Sequence, residues 1–212
     1  MTELAKGTRS PAAAIPSAVI RDAQILQTAM RKAVATSPGA FLTTPEDIDA
    51  KPMSYWEEDI RRSTWSVVEQ GNEVLGIAAA KQPDCNKDFN IDDFERARFI
   101  ESVWIDGSIR RRGIGIRLVQ FLIDVECDQR GIEQFFLWVF DENEPAIRLY
   151  EDHFGFKRTQ AENWQPQVKR TEVQYRLLLD SPVQLAAKLK VDADAREKDF
   201  RELGIRYRVL GG

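Results

Sequence analysis

Residues 134–140, Gln-Phe-Phe-Leu-Trp-Val-Phe, are apolar at almost every position. A strand with one wet face alternates apolar and polar side chains. One that does not alternate is covered on both faces, so it belongs in a sheet interior with helices above and below. The flanking segments supply such helices. Over 114–130, Leu118, Val119, Leu122 and Val125 recur at helical spacing, and Gly131 follows as a natural C-terminal stop. Over 143–154, Ala146, Ile147, Leu149 and Tyr150 predict a second, shorter helix. The expected fold class is therefore α/β: a mixed, strongly twisted sheet of six or seven strands flanked by helices on both faces.

The remaining elements follow from local pattern. Residues 17–21 read as a first strand. A helix over 23–35 is expected with Asp22 as its cap, and another over 54–62 with Ser54 as its cap. Residues 65–69 and 74–80 form a hairpin around Gln70-Gly71-Asn72-Glu73, and 99–106 is a strand. Residues 82–96 are polar and acidic and read as a loop. Two more strands are expected over 156–160 and 171–179, with Trp164-Gln165-Pro166 in a loop between them. Residues 1–17, with two prolines and three consecutive alanines, read as a flexible lead-in. Residues 18–180 form one domain. Residues 181–212 carry a charged helical pattern and read as a partly helical extension that packs on the domain or on a partner.

Composition removes several function classes. The 212 residues carry a net charge of −4, with no bulk basic field for nucleic acid. Cys85 and Cys127 are too few for a disulfide framework, and no Cys/His cluster suggests a metal. His153 is the single histidine, so any Ser-His or Cys-His pair would have to use it. No apolar run approaches the roughly 20 residues that span a bilayer. The start, Met-Thr-Glu-Leu-Ala-Lys, lacks a secretory pattern, so a soluble cytoplasmic protein with no membrane partner is expected. The sheet edges and the extension leave a homodimer open.

The chemistry-bearing segment is Arg110-Arg111-Arg112-Gly113-Ile114-Gly115-Ile116-Arg117, between a strand and a helix. Glycines at 113 and 115 place no Cβ between backbone and ligand, and the helix begins there with unsatisfied amides and the positive end of its dipole. This suits a pyrophosphate, with arginines adding charge. It equally suits a turn that uses glycine for geometry alone, with the arginines as a solvated basic face. The segment lacks the Lys-Ser/Thr of a nucleotide triphosphatase loop, and Leu118 falls where a dinucleotide loop needs its third glycine.

Three spaced blocks together resemble the Gcn5-related N-acetyltransferase superfamily. They are the Arg-x-x-Gly-x-Gly loop after Val103-Trp104-Ile105-Asp106, the hairpin ending Val74-Leu75-Gly76-Ile77-Ala78, and Asn143-Glu144-Pro145-Ala146-Ile147-Arg148-Leu149-Tyr150 followed by Phe154-Gly155-Phe156. The resemblance covers roughly 18–179. It implies acetyl-coenzyme A as acetyl donor, entering where the family's fourth and fifth strands splay apart. Val103, Trp104 and Ile105 would lie along the pantetheine arm, with backbone groups of Val103 and Ile105 pairing to it. Arg110, Arg111, Arg112, Gly113, Ile114, Gly115 and Ile116 would surround the pyrophosphate. Asn143 would contact the arm or orient the following helix. Tyr150 would lie near the sulfur as general acid, or be a core-edge aromatic.

Direct attack by a primary amine, in a ternary complex, is the implied reaction. The glutamate that many family members carry on the fourth strand is Phe99 here. Glu101, two residues on and on the same face, is either the base or a group that only attracts a cationic acceptor or pairs with a nearby arginine. Trp138 replaces the glutamate of the ribosomal-protein N-terminal acetyltransferases, which counts against that activity. Tyr55 and Trp56 are candidates for the acceptor wall, or belong to a surface helix with one buried aromatic. His153 fits a helix-end charge and Cys127 a packed helix residue. The segment between Tyr150 and Gly155 is one residue longer than the family's usual form. A small-molecule amine is the expected acceptor. The alternatives are acetylation of protein lysines or N-termini, and a coenzyme A-binding sensor without turnover.

Overall fold

The computed structural model describes residues 17–84, 91, 93–179 and 204–210. Cys85, the lead-in before residue 17, much of the 82–96 loop and most of the 181–212 extension lie outside them. The described chain forms a seven-stranded mixed sheet with helices on both faces, as the apolar segment at 134–140 required.

In chain order the elements are α1 (Ser17–Thr36), α2 (Pro45–Ala50), α3 (Met53–Arg62), β1 (Thr64–Gln70), β2 (Glu73–Lys81), β3 (Ala97–Ile105), α4 (Ile114–Arg130), β4 (Gln134–Phe140), α5 (Glu144–Arg148), β5 (Lys157–Gln165), β6 (Arg170–Leu178) and β7 (Ile205–Val209). The strand order is β5-β6-β4-β3-β2-β1-β7. Among the described strands only β3 and β4 run parallel, and α4 is the crossover between them. Alternate side chains sort onto two cores. Ile100, Leu137, Val139, Val173 and Tyr175 pack with Leu118 and Leu122 of α4 on one face. Val67, Ile77, Ala79 and Trp104 pack with Leu26 of α1 and Trp56 of α3 on the other.

Several expected boundaries move. Residues 17–21 begin α1 instead of forming a strand, and Asp22 lies inside that helix, bonded to Arg208 of β7 at 2.8 Å. The sheet position beside β1 that an N-terminal strand could fill is taken by β7, antiparallel to β1. The extension thus contributes one strand to the sheet, and the part of it where the helical pattern falls lies outside the described residues. α3 starts one residue early, after Pro52, so Ser54 is not its cap. α2 is unanticipated, although Thr44 and Asp47 form a reciprocal capping box. Trp164 and Gln165 extend β5 instead of looping, because the β5–β6 hairpin stays paired to Gln165 opposite Arg170.

One buried charge cluster ties three elements together. The Glu126 carboxylate on α4 is 0% exposed and accepts from Arg98 of β3 at 2.9 Å, from Arg130 at 2.8 Å and from the Thr64 hydroxyl of β1. A buried carboxylate is tolerable only when it is met by cations and donors, and stripping one partner leaves charge uncompensated. Replacing Arg98 with Met is expected to lower unfolding free energy by about 3 kcal/mol. The double replacement Arg98→Met with Glu126→Leu should recover part of that loss, both measured by urea denaturation. A second tie joins α1 to the end of β3. Asp106 accepts from Lys32 at 2.8 Å and from Ser108, which together hold its carboxyl down to about 2. A depressed carboxylate stabilises above its unfolded value and loses that contribution as pH falls through its folded value. Asp106→Asn should therefore cost about 2 kcal/mol at pH 7 and almost nothing near pH 2 in matched denaturation curves.

Candidate active site

The sheet is broken where β3 and β4 meet. They pair only from Ala97 opposite Gln134 to Phe99 opposite Phe136. Beyond that point β3 carries a bulge. Glu101 is opposite Ala79 but Trp104 is opposite Ile77, and Ser102 between them adopts a positive φ of 55°. An extra residue on one strand kinks it away from its neighbour. A cavity of about 100 Å³ opens in the gap, lined by Glu101, Ser102, Val103, Trp138, Asn143, Tyr150 and Glu172 among others.

Alternation places these groups on opposite sides of the sheet. Glu101 shares the face of Phe99 and Trp104, while Tyr150 belongs with Ile100 and Val139 to the α4 face. The cavity therefore passes through the sheet from one layer to the other. On the α4 side, Tyr150 is 7% exposed and its hydroxyl has no hydrogen-bond partner among the described residues. Burial pushes its phenol well above the ordinary value, so it stays protonated at neutral pH. It sits in a π turn, Leu149–Phe154, whose wider winding absorbs the extra residue before Gly155. Asn143 starts α5 with its carbonyl, which accepts from Ala146 and Ile147, and its side chain caps nothing.

The glycine loop follows the far end of β3 and leads into α4, which packs on this side. Gly113 precedes α4 with φ 78°, a left-handed conformation that strains other residues, and Arg111 also takes positive φ at 59°. The first helical bond runs from the Arg117 N–H to the Gly113 carbonyl, so the first-turn amides before it have no acceptor within the helix. A Cβ on Gly115 would meet only Ile105 Cγ1, at an ordinary 3.6 Å. Glycine there is not demanded by packing; it leaves the amides bare. Arg110 differs from its expected role. Its Nε donates to the Ile105 carbonyl at 2.7 Å and its Nη2 to Ser37 Oγ at 2.8 Å, which commits it to the protein. Arg111 and Arg112 are exposed and make no ion pair among the described residues.

On the far side, Lys81 Nζ lies 3.0 Å from Asp59 and 3.6 Å from Glu101. Burial works against its charge, but Glu101 and Asp59 outweigh that and raise its pKa. Phe41 and Ala40, in the segment after α1, close this side of the cavity. The segment is pinned by Arg110 at Ser37 and by Arg170, whose Nη1 donates to the Gly39 carbonyl at 2.6 Å. Trp56 is 1% exposed and packs in the core under α1, away from the wall of this cavity. Tyr55 is exposed beside Lys51 and is also absent from the cleft wall. His153 is exposed at the end of the π turn. Cys127 is half-buried, and burial pushes its thiol up to about 12, which leaves it unreactive.

Glu172 and Phe41 were missed by sequence reasoning. For Glu172 a signal existed. In β6, apolar Val173, Tyr175 and Leu177 alternate with polar Glu172, Gln174 and Arg176 beside the apolar β4. Polar residues facing a buried strand mark a wet groove. Phe41 had no local signal, because its place depends on the two arginines that pin its segment.

Residues 28–156 match the Acetyltransferase (GNAT) family. Among curated relatives, an N-acetyltransferase 9-like protein of Caenorhabditis briggsae is 27% identical over 105 residues, 49% of this chain and 53% of that protein. A thialysine N-epsilon-acetyltransferase of Sus scrofa is 32% identical over 66 residues, 31% of this chain and 38% of that protein. The chain thus spans about half or less of the curated relatives it matches. Among solved structures, yncA of Salmonella typhimurium with its cofactor acetyl-CoA superposes with a TM-score of 0.57 at 21% identity, over 76% of this chain and 91% of that one. NAA60 of Arabidopsis thaliana with a bisubstrate analogue gives 0.55 at 16% identity, over 76% and 94%. The seven-stranded fold, the family match over most of the sheet and the parted strands agree, and the chain belongs to the acetyltransferase (GNAT) family.

Proposed function

We propose that this chain transfers the acetyl group of acetyl-coenzyme A to a primary amine of a small molecule, by direct attack in a ternary complex. The observation that carries this reading is the cavity through the sheet, with a protonated, unpartnered Tyr150 hydroxyl on one side and carboxylates on the other. Curated relatives named as acetyltransferases, a structural neighbour with its cofactor acetyl-CoA and another with a bisubstrate analogue support it.

The residues present fit the donor. Bare amides at Ile114, Gly115 and Ile116 and the positive end of α4 suit its diphosphate, with Arg111 and Arg112 beside them. Arg110 serves by fixing the loop to β3 and to Ser37. The β3 backbone at Val103 and Ile105, turned from β4 by the bulge, offers groups to the pantetheine arm, as an added strand would. When bound, acetyl-coenzyme A supplies a thioester carbonyl activated for attack. The Val103 N–H is the group for polarising that carbonyl. Tyr150 donates a proton to the departing sulfur, a step that its raised pKa makes concerted with bond breaking. Glu101, on the opposite face, draws a cationic acceptor toward the gap. A narrow cavity of about 100 Å³ suits a small amine end better than a broad protein surface.

Gly115→Val should leave the melting temperature close to wild type, because its Cβ meets only Ile105, yet weaken acetyl-coenzyme A binding by about 10-fold or more in calorimetry. Wild-type affinity in that variant would remove the glycine loop from the binding site. Tyr150→Phe should lower kcat by about 10²-fold while the KM for acetyl-coenzyme A stays within about twofold. An unchanged kcat would exclude Tyr150 as the acid.

A further inference from the structure

The cavity holds a second carboxylate whose surroundings differ from those of Glu101. Glu172 is opposite Phe140 in the β4–β6 ladder and lines the same cavity as Glu101, Trp138 and Tyr150. Its Oε2 accepts from Gln165 Nε2 of β5 at 2.6 Å, and it makes no ion pair among the described residues. Glu101, by contrast, lies 3.6 Å from Lys81 Nζ. Arg170, the cation on Glu172's own strand, is occupied elsewhere. It pairs with Glu142, donates to the Gly39 carbonyl at 2.6 Å and stacks 3.6 Å over the Phe140 ring. Tyr150 faces the same space with an unpartnered hydroxyl, nine-tenths buried, so the cavity presents an unused donor as well as a carboxylate without a cation.

We infer that Glu172 is the proton acceptor of the transfer, and that with Glu101 it selects an acceptor arriving as a primary alkylammonium ion; this rests on the acetyltransfer reading above. Burial raises the pKa of Glu172 and the nearby charge of Glu101 adds to the rise, while the Gln165 hydrogen bond and Arg170 oppose it. That direction suits a base working near neutrality. An ammonium nitrogen must lose two protons to become an amide N–H. One goes to a Glu172 carboxylate oxygen and on to solvent, freeing the lone pair. That pair forms the N–C bond at the thioester carbonyl as the C–S bond breaks. The second proton leaves the nitrogen and replaces the one Tyr150 gives to the sulfur. Gln165 acts as a positioning residue that fixes one oxygen and leaves the other for the ammonium.

The test uses the whole chain with 1,5-diaminopentane and tyramine as ammonium probes, and the matching alcohols as neutral controls. Acetyl-coenzyme A affinity is first measured by calorimetry in wild type, Glu172→Gln and Glu101→Gln. All three are expected within about twofold of one another, which also establishes that the variants fold. In thiol-release assays across pH, Glu172→Gln should lower kcat by about 10²-fold, and its residual rate should climb with pH as the free amine becomes populated. Glu172→Asp should restore part of the rate. Glu101→Gln should chiefly raise amine KM, by about 10-fold, the loss of one charged contact. An unchanged kcat and pH profile in Glu172→Gln would overturn the assignment and leave acetyl transfer standing. Binding of acetyl-coenzyme A without binding or acetylation of either ammonium probe would overturn the acceptor class. Failure of the wild-type chain to bind acetyl-coenzyme A would remove the acetyltransfer reading, and this assignment with it.

Discussion

The parting of β3 from β4 is the constraint on which the site depends. Two parallel strands that begin in register, Ala97 to Phe99 beside Gln134 to Phe136, are forced apart by one added residue around Ser102. A sheet normally seals its two faces from each other, because every backbone group is paired sideways. Here the pairing lapses for a short distance, and groups from both layers reach the same space. Tyr150 comes from the layer of α4 and Glu101 from the layer of α1 and α3. In the proposed transfer, donor and acceptor would approach from opposite sides without competing for one mouth.

Such a gap needs its closed end held firmly. Arg98 lies in the paired part of β3, opposite Phe135, and grips the buried Glu126 of α4. Thr64 of β1 and Arg130 complete the cluster. The opening end is braced differently, by Asp106 against Lys32 and by Arg110 against Ile105 and Ser37. These contacts join α1, β3 and the glycine loop, so the mouth is set by polar ties where the closed end is set by a buried one. The Ser37–Phe41 segment over the cavity is held by arginines from both directions, with Phe41 packed against the core of α1 and α3.

Much of this was legible in the chain because it is local. α4 and β4 were readable to the residue, since a 3.6-residue stripe ending at Gly131 and an unbroken apolar run are written in consecutive positions. The glycine loop and the Asn143–Tyr150 block were visible for the same reason. What escaped depends on distant partners. Val19 and Ile20 suggest a strand, but the place beside β1 is filled by β7, so they wind into α1. Trp56 looked like a pocket wall because aromatics serve both walls and cores, and only the packing of α1 over α3 decides. Arg110 looked like a phosphate ligand, yet its guanidinium is consumed by a carbonyl and a serine that spacing does not reveal. Glu172 reaches the cleft only through cross-strand register.

β7 lies far along the chain from the elements it joins. Its Arg208 meets Asp22, 186 residues away in the chain, and Glu69, 139 residues away. Contacts this remote must close long loops before they form, at a greater cost in chain entropy than a nearby hairpin. Until then β1 presents a bare row of amides and carbonyls to its surroundings, the kind of rim that invites pairing with a neighbouring molecule. A carboxylate on α1 and another on β1 meet the arginine of β7, so the native match carries a charge complementarity that a foreign strand would lack.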